Sequence, residues 1–400
     1  MDPERVVHVP LLLTMDPALG DGALGAVRDA AIALGGGQVL WMGPGREAPS
    51  APEVHHLHGV ALPGLVDCHT HTVWAGSRAD EFLRRLDGVP YTQILEEGGG
   101  ILSTVGATVA ASEDELVSLA AARLARLRAR GVTTVEVKSG YGLQADAEAR
   151  MLRAARRAGQ QAGVRVVTTF LGAHAVPARH RGDRAAYVRE LLEEQLPLCA
   201  PHADFIDAYV DRGAFTVDEG ERILAAGKAA GLGVRVHAEQ VAFTGAAAMA
   251  ARLGARSADH LERVDAAGIE AMATHGTIGV MLPGAMLYLR DDPPPVEALR
   301  EAGVPLAVAT DWNPGSSPVA CLLSCATLAA VTMRLTVEEA LRGITCVAAD
   351  VLDQPDRGRL RVGGPADLTV VELLPGEPAT PGALVQHLGA AYGPVHTWVS

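Results

Sequence analysis

Histidine and aspartate residues stand at the ends of short β-rich runs of this sequence. His69 and His71 lie two residues apart in GLVDCHTHTV, and a two-residue step in an extended chain points both imidazoles to one face. His237 and Asp311 end two later runs, GVRVHAE and PLAVATD. Imidazoles combined with a carboxylate suit zinc, and ferrous iron is also accepted. We therefore predict one bound metal ion, Zn²⁺ or Fe²⁺/Fe³⁺. Its predicted ligands are His69, His71, His237 and Asp311.

Eight β-rich runs alternate with Ala/Leu/Arg-rich stretches through the middle of the chain. The runs lie near residues 64–70, 133–139, 164–170, 204–210, 233–239, 256–261, 277–282 and 305–311. Such alternation is typical of a parallel sheet covered by helices, and eight units close a (β/α)₈ barrel of the TIM type. Because catalytic groups of these barrels lie at the carboxyl ends of the strands, we expect the predicted ligands to meet at one rim.

Helix-start signals support the barrel and leave the two ends of the chain outside it. Three residue pairs fit the capping box, in which a hydroxyl and a carboxylate satisfy free backbone amides. The pairs are Ser112 with Glu115, Thr216 with Glu219, and Thr336 with Glu339. Residues 1–62 and 358–400 instead contain short β-rich runs broken by glycine. We predict that these two segments form one composite β-sandwich domain, with the barrel at 63–357.

Charge and composition restrict the class of partner. The formal net charge of -13 disfavours nucleic acid and anionic membrane surfaces. A content of 48% hydrophobic and 20% charged residues is typical of an ordered globular protein with a large core. The sequence also lacks an apolar run of roughly 18 residues, the length needed to span a bilayer. We expect a cytoplasmic protein, usually a homodimer for this kind of enzyme, that acts on a small molecule.

Two other groups of residues have side chains that can bind metal, but we do not predict a metal site at either. The cluster HHLH contributes His55, His56 and His58, but it precedes the barrel, so we interpret these side chains as surface or packing residues. Five cysteines lack the paired spacing of a zinc ribbon or a disulfide framework, and we predict mostly buried thiols. They are Cys68, Cys199, Cys321, Cys325 and Cys346.

Several longer motifs of the chain resemble one known family. PGLVDCHTHTVWAGSRADEF, GGGILSTVGATVAAS, VEVKSGYGL, TFLGAHAVP, ADHLE and ATDWNPGSSP follow one another in this order. They resemble the amidohydrolase superfamily and, within it, the imidazolonepropionases of histidine degradation. The resemblance covers nearly the whole chain. It implies hydrolysis of the cyclic amide of 4-imidazolone-5-propanoate to N-formimidoyl-L-glutamate by a metal-activated water.

The resemblance also implies a set of substrate contacts. The family's contacts fall on Arg78, Tyr141, His174, Asn313, Gly315 and Ser316. Arg78 suits the propionate tail of the substrate, because a planar guanidinium binds a carboxylate through two parallel hydrogen bonds. The chain departs from the family at one position: where a glutamate often stands three residues after the third metal histidine, this sequence has Gln240, with Glu239 beside it. Either residue is a candidate for an acid/base or substrate-orienting role.

Two residues are candidates for proton transfer by their positions at strand ends. Asp311 shares the predicted metal site, and His260 ends the sixth β-rich run. A carboxylate or an imidazole can remove the proton from the attacking water. In one assignment Asp311 carries that proton to the leaving ring nitrogen while His260 stabilises oxyanion charge. Position in the sequence does not decide which residue is the base.

Some related hydrolases bridge two metal ions with a carboxylated lysine at the end of the fourth strand. The corresponding run here, DFIDAYVDRG, has no lysine. Lys138 lies on the second strand, where alternation places it on the same face as Glu136 and favours an internal ion pair. We therefore predict a single metal ion.

Two alternative functions stay open at this point. A related deaminase acting on another nitrogen heterocycle would use the same metal ligands. A non-catalytic barrel scaffold would keep the fold without the reaction, although such proteins usually lose ligands and this chain retains all four candidates. Release of ammonia identifies the deaminase, and failure to bind metal identifies the scaffold.

Overall fold

The N-terminal residues form strands that lie outside the barrel. The computed structural model describes residues 2–89, 93, 99–389 and 393–400. The first strands are β1 (Arg5–Leu13), β2 (Ala26–Gly35), β3 (Gln38–Pro44), β4 (Glu53–His56) and β5 (Gly59–Pro63). β2 runs antiparallel to β1 and β3, whereas β4 and β5 both run parallel to β1. Alternating apolar residues of these strands pack into a small core of their own.

Eight parallel strands follow and form the barrel sheet. They are β6 (Leu65–Asp67), β7 (Val132–Lys138), β8 (Arg165–Ala173), β9 (Phe205–Val210), β10 (Gly233–Ala238), β11 (Ser257–His260), β12 (Ile278–Met281) and β13 (Leu306–Val308). Each strand pairs with the next in chain order. Hydrogen bonds beyond the strand ends join β13 to β6: Asp311 N donates to His69 O at 2.9 Å, and His71 N donates to Trp312 O at 3.0 Å. The predicted eight-stranded barrel is therefore confirmed.

Helices cover the barrel because their apolar faces pack on the outer side of the strands. They are α1 (Ala79–Leu86), α2 (Ile101–Ala110), α3 (Glu113–Arg128), α4 (Ala145–Ala162), α5 (Arg184–Glu190), α6 (Leu196–Cys199), α7 (Val217–Ala229), α8 (Ala246–Arg252), α9 (Ala266–His275), α10 (Pro283–Leu289), α11 (Val296–Glu301), α12 (Leu322–Met333), α13 (Val337–Gly343) and α14 (Cys346–Val351). The capping boxes predicted at the starts of α3, α7 and α13 are confirmed.

Three of the described helices, α1, α2 and α3, lie in the long connection between β6 and β7. The segment GGGILSTVGATVAAS, one of the motifs that carry the family resemblance, lies in this connection and folds into α2 over most of its length. Its first residue, Gly98, lies outside the described residues. Among the described helices, none combines the length and apolar character needed to cross a membrane.

The C-terminal residues return to the N-terminal strands. β14 (Leu368–Glu372) pairs antiparallel with β5, and β15 (Val395–Trp398) pairs antiparallel with β14. The two ends of the chain thus share one mixed sheet of seven strands. The boundaries of the composite domain, 1–62 and 358–400 around 63–357, stay a prediction.

The cysteines and the HHLH histidines, which were not expected to bind metal, lie in the surroundings predicted for them. The five cysteines are free and buried, which confirms the prediction of buried thiols. His55 and His56 lie on β4, and the ring of His56 stacks on His8 with centroids 4.6 Å apart. His56 and His58 are exposed and His55 is half-buried, so the HHLH cluster belongs to the surface of the terminal sheet.

Candidate metal centre and active site

Three imidazoles converge at the carboxyl end of the barrel. One ligand nitrogen from each of His69, His71 and His237 lies within 4.8 Å of the others, and all three side chains are buried. The carboxylate of Asp311 adjoins them: its Oδ1 lies 3.5 Å from His69 Nε2 and 3.4 Å from His71 Nε2. The structure therefore brings together the four residues proposed from the sequence as metal ligands.

The backbone adopts a left-handed conformation at the carboxyl ends of three barrel strands. Asp311 has φ +50°, His260 has φ +82° and Glu239 has φ +57°, all in the left-handed region. Non-glycine residues adopt this region at a cost, and they cluster at functional sites where the surrounding fold enforces it. Three such residues follow β10, β11 and β13, so the fold holds this rim in a strained conformation.

The chemistry of the donor atoms fits a metal ion. His69 Nε2 and His237 Nε2 are buried and have no hydrogen-bond partner among the described residues. A buried polar atom without a partner is destabilising, and coordination of a cation by the nitrogen lone pair removes that cost. Three neutral imidazoles and one carboxylate are a common set for a divalent ion. The residues present thus fit one divalent metal ion.

Two carboxylates set the orientation of the imidazoles. Asp259 Oδ2 lies 2.6 Å from His69 Nδ1. Asp207 Oδ2 lies 3.0 Å from His237 Nδ1, and its Oδ1 accepts a hydrogen bond from the His237 backbone at 3.1 Å. A carboxylate beside Nδ1 favours the tautomer with a proton on that nitrogen, which leaves Nε2 free to bind metal. These aspartates therefore direct the Nε2 atoms toward one point.

A group of five paired charges lies beneath the histidines, and we name it the lower layer. It consists of Glu136, Lys138, Asp207, Arg235 and Asp259, all fully buried. Lys138 Nζ lies 2.8 Å from Glu136 and 2.9 Å from Asp207. Arg235 lies 2.8 Å from Asp259 and 3.0 Å from Glu136. The ion pair predicted between Lys138 and Glu136 is confirmed, and it belongs to this larger network.

Burial and neighbouring charges set the protonation of the site. Burial is the main cause that lowers the pKa of His71 to about 3 and that of His237 to about 4. Both imidazoles are therefore neutral at pH 7, the form that binds metal. Burial opposes ionisation of Asp207, but His237 and Lys138 beside it hold the pKa of that carboxyl well below its usual value. The carboxylate of Asp207 stays charged beneath the neutral rings.

His260 differs from the three clustered histidines because the carboxylate of Glu262 lies near its imidazole. Its Nδ1 lies 3.9 Å from Glu262 Oε1. Burial lowers the pKa of His260, but the carboxylates of Glu262, Asp311 and Asp259 together outweigh burial, so the pKa lies above the ordinary value. Burial also raises the pKa of Asp311, and the nearby imidazoles of His260 and His237 oppose that increase. The two candidates for proton transfer thus line the same cavity, in environments that shift both toward the protonated form.

A cavity of about 710 Å³ opens above the histidines. Most of the site residues proposed from the sequence line it. They are Arg78, His71, Tyr141, His174, His237, Gln240, His260, Asp311, Asn313, Gly315 and Ser316. Glu239 is placed differently: it is buried, and its Oε1 accepts a hydrogen bond from Gly245 N at 2.8 Å. Its carboxylate therefore holds the loop that leads into α8, whereas Gln240 faces the cavity.

The loop after β7 carries Tyr141 into the cavity, and a buried glutamate holds that loop. Glu148, in the first turn of α4, accepts hydrogen bonds from Gly140 N at 2.8 Å, Gly142 N at 2.7 Å and Leu143 N at 2.7 Å. The carbonyl of Gly140 in turn lies 3.0 Å from His174 Nδ1. The rings of Tyr141 and His174 lie 5.4 Å apart, centroid to centroid, and one carboxylate thus fixes the positions of both.

The turn after β13 forms another part of the cavity wall. Asn313 Oδ1 accepts hydrogen bonds from Gly315 N at 2.8 Å and Ser316 N at 2.7 Å, which closes the turn. A Cβ on Gly315 would lie 1.9 Å from Arg78 Nη1, so only glycine leaves room for the guanidinium. Arg78 also forms an ion pair with Glu81. The arginine is held against the turn and faces the cavity.

Several residues that organise this site were not predicted from the sequence. Among them are Glu148, Asp207, Tyr209 and Asp259. Asp207 and Asp259 carried a usable signal, because a carboxylate inside a run that is otherwise apolar has to be paired when the strand is buried. Glu148 carried no signal in the sequence, because its hydrogen-bond partners are backbone amides of a loop. Tyr209 carried none either, because an aromatic residue on a strand usually packs in the core.

The barrel and its strand-end histidines define a class of protein, the metal-dependent hydrolases. A family model described as "Amidohydrolase family" matches residues 81–400. A relative from Cupriavidus pinatubonensis named "Imidazolonepropionase" is 50% identical over 86% of this chain and 84% of its own length. One of the same name from Shewanella baltica is 44% identical over 94% of this chain and 93% of its own length. The chain belongs to the imidazolonepropionase family of amidohydrolases.

Solved structures share the fold at low sequence identity. A zinc-bound adenosine deaminase from Xanthomonas campestris covers the whole chain, with 92% of its own length aligned, a TM-score of 0.72 and 20% identity. A mutant atrazine chlorohydrolase from Arthrobacter aurescens, complexed with zinc and atraton, aligns over 96% of this chain and 92% of its own, with a TM-score of 0.70 and 17% identity. These likenesses support the barrel architecture.

Proposed function

We propose that this protein hydrolyses the cyclic amide of 4-imidazolone-5-propanoate to N-formimidoyl-L-glutamate in histidine degradation. The observation that carries the proposal is the 50% identity, over 86% of the chain, with a relative named imidazolonepropionase. The geometry supports it, because the convergent histidines and Asp311 border a cavity that also contains an arginine for an anionic tail. The deaminase alternative has no comparable support, since the adenosine deaminase shares only 20% identity.

The metal ion in this proposal is single and is either zinc or iron. His69, His71, His237 and Asp311 would hold it. The zinc in two structural neighbours favours zinc, whereas the donor atoms accept iron equally well. When bound, such an ion lowers the pKa of water and polarises a carbonyl oxygen.

Arg78 and the turn after β13 bind the propionate tail in this proposal. The guanidinium offers two parallel N–H groups to a carboxylate, and Ser316 offers a hydroxyl beside it. Tyr141 and His174 face the ring of the substrate from the loops after β7 and β8. Binding the tail and the ring at once places the ring carbonyl near the convergent histidines, so that the reacting atoms are aligned before the reaction begins.

Asp311 and His260 move and stabilise charge in the proposed reaction. The carboxylate of Asp311 accepts a proton from the attacking water, whose oxygen bonds to the ring carbonyl carbon. His260 donates a hydrogen bond to the carbonyl oxygen as negative charge develops there. The bond between that carbon and the ring nitrogen then breaks, and Asp311 returns the proton to the nitrogen. These steps give a carboxylic acid and an open formimidoyl group, and the acid then loses its remaining proton to the solvent to become a carboxylate.

The decisive experiment follows the loss of imidazolone absorbance with freshly made substrate, using H69A as the blank. We expect rapid loss with the wild-type protein, none above the uncatalysed rate with H69A, and no ammonia at the moment of ring opening. Release of one ammonia per substrate would instead identify a deaminase. Metal analysis of both proteins completes the test: wild type should contain about one ion per chain and H69A much less.

Several earlier expectations stay predictions beside this proposal. These are the homodimeric state, the cytoplasmic location and the absence of a nucleic-acid partner. Sedimentation velocity measures the first directly. Glu239 also stays a candidate from the sequence alone, although its contact with Gly245 supports a structural role over an acid/base role.

A further inference from the structure

Gln240 and Tyr209 form a hydrogen-bonded pair in the wall of the cavity. Tyr209 lies on β9 and Gln240 follows β10, so the pair bridges neighbouring strands. The Tyr209 hydroxyl donates to Gln240 Oε1 at 3.0 Å. Both residues line the cavity, and Gln240 is only 9% exposed. The Tyr209 ring packs edge-on against His237, with centroids 5.8 Å apart, which holds the hydroxyl in place.

This hydrogen bond determines which end of the amide faces the substrate. A glutamine side chain has one acceptor oxygen and one NH₂ group with two donors. Oε1 is engaged by Tyr209, whereas the described part of the chain offers no hydrogen-bond partner to the Nε2 group. The amide therefore presents its donor end to the cavity. A carboxylate at this position would present an acceptor, and it could exchange protons, which an amide cannot do.

We propose that Tyr209 is a positioning residue that locks the Gln240 amide, so that Nε2 donates a hydrogen bond to an acceptor on the substrate ring. The inference rests on the proposed function, since it concerns how the same cavity selects a ring. The ligands it favours are five-membered rings that carry a carbonyl oxygen or an unprotonated nitrogen and an anionic tail. A site with a fixed donor rejects an analogue without an acceptor, because the buried donor is then left unpaired.

Two probes with the same tail separate this role from simple packing. Hydantoin-5-propionate carries ring carbonyl acceptors, and 3-cyclopentylpropanoate has a ring of the same size without any. The dissociation constant of each probe is measured by isothermal titration calorimetry, and the weaker probe is measured by competition with the stronger one. The proteins compared are wild type, Y209F, Q240E and the double variant Y209F/Q240E. The useful quantity is the ratio of the two constants, because the effect of added charge on the shared carboxylate tail cancels in it.

We expect wild type to prefer the hydantoin, and Y209F to reduce that preference about fivefold through loss of one hydrogen bond. Q240E should reduce the preference for the hydantoin at least as much as Y209F does. The double variant Y209F/Q240E should reduce that preference no further than Q240E alone, because the tyrosine acts through the amide. Y288F is the matched control: Tyr288 stacks on Phe82 with centroids 5.2 Å apart, and its loss of a hydroxyl should leave the ratio unchanged.

Three results would overturn the proposal. An unchanged ratio in Y209F shows that the hydroxyl does not orient the amide. Equal weakening of both probes shows that Tyr209 only packs the cavity. A stronger preference for the hydantoin in Q240E shows that an acceptor faces the ring. If wild type shows the expected ratios but does not open the imidazolone ring, the proposed function fails and the orienting role of Tyr209 stands.

Discussion

Two layers of polar side chains occupy the barrel interior, and they differ in how completely their atoms are paired. In the lower layer each charged group has an opposite charge within 3.0 Å. In the layer above, His69 Nε2 and His237 Nε2 have no hydrogen-bond partner among the described residues. The lower layer is complete as protein alone, whereas the upper layer offers lone pairs to a cation. Satisfied polar networks hold a fold rigid, and orphaned polar atoms mark the place where a ligand acts.

The largest effect is expected from D311N in the upper layer. The amide keeps the shape of the side chain but cannot accept the proton of the attacking water. We expect kcat to fall by roughly 10²- to 10⁴-fold, the usual contribution of acid/base catalysis. The measurement is loss of imidazolone absorbance, together with metal content. D292N is the control, because the Asp292 side chain is 89% exposed. Wild-type kcat in a metal-loaded D311N would remove Asp311 from the reaction.

A substitution in the lower layer should instead lower the stability of the fold. K138M removes the cation that lies 2.8 Å from Glu136 and 2.9 Å from Asp207, although Glu136 keeps its pair with Arg235. Breaking a buried pair on one side costs about 3–5 kcal/mol of unfolding free energy. Urea unfolding measures the loss. R156M is the control, since the Arg156–Asp204 pair is about 40% exposed (43% and 41%) and should contribute below about 1 kcal/mol. Equal losses in the two variants would contradict the comparison of layers.

The neutral, buried imidazoles that line the cavity predict that the stability of the metal-free protein depends on pH. Burial lowers the pKa of His174 to about 3, whereas the unfolded chain keeps the value of 6.5. Between these values the unfolded chain binds more protons, so the unfolding free energy falls as pH decreases. H174Q should reduce this slope by about 1.4 kcal/mol per pH unit between about pH 6 and pH 4. Urea unfolding at several pH values tests this, and above about pH 8 the slopes of H174Q and wild type should agree.

The smallest effect is expected at the wall of the cavity. G315A places a methyl group where Arg78 Nη1 lies, 1.9 Å from the new Cβ, so the guanidinium must move. We expect KM to rise about tenfold with kcat little changed, because the arginine binds the tail equally in ground and transition states. Steady-state kinetics measures both constants. G182A is the control, since a Cβ at Gly182 meets nothing within 4 Å. A fall in kcat alone would assign Arg78 to the reaction step.

Local sequence patterns were enough to predict the barrel. Each of the eight predicted runs overlaps one observed strand, because a buried parallel strand needs a continuous apolar run whatever its neighbours are. The capping boxes were also predictable, since Ser112 and Glu115 lie three residues apart and the side chain of each bonds to the backbone of the other. The motif residues His69 and His71 were identified in the same way, from a spacing of two at the end of one β-rich run.

Contacts between distant segments were not predictable from such patterns. Asp259 lies 190 residues from His69, and only barrel closure places its Oδ2 2.6 Å from the imidazole. Lys138 was paired correctly with Glu136, two residues away, but its second partner, Asp207, lies 69 residues along the chain. Glu239 and Gln240 are adjacent, and only the left-handed backbone at Glu239 decides which of them faces the cavity.

The order of strands and helices and the types of residue that could bind metal follow from the sequence, because both depend on interactions within a few positions. The tertiary fold is needed to establish which carboxylate orients which imidazole, that the Gln240 amide turns its donor end inward, and that Gly315 leaves room for Arg78. Those properties depend on distances of about 3 Å between strands and loops far apart in the chain, and such distances exist only once the barrel has closed.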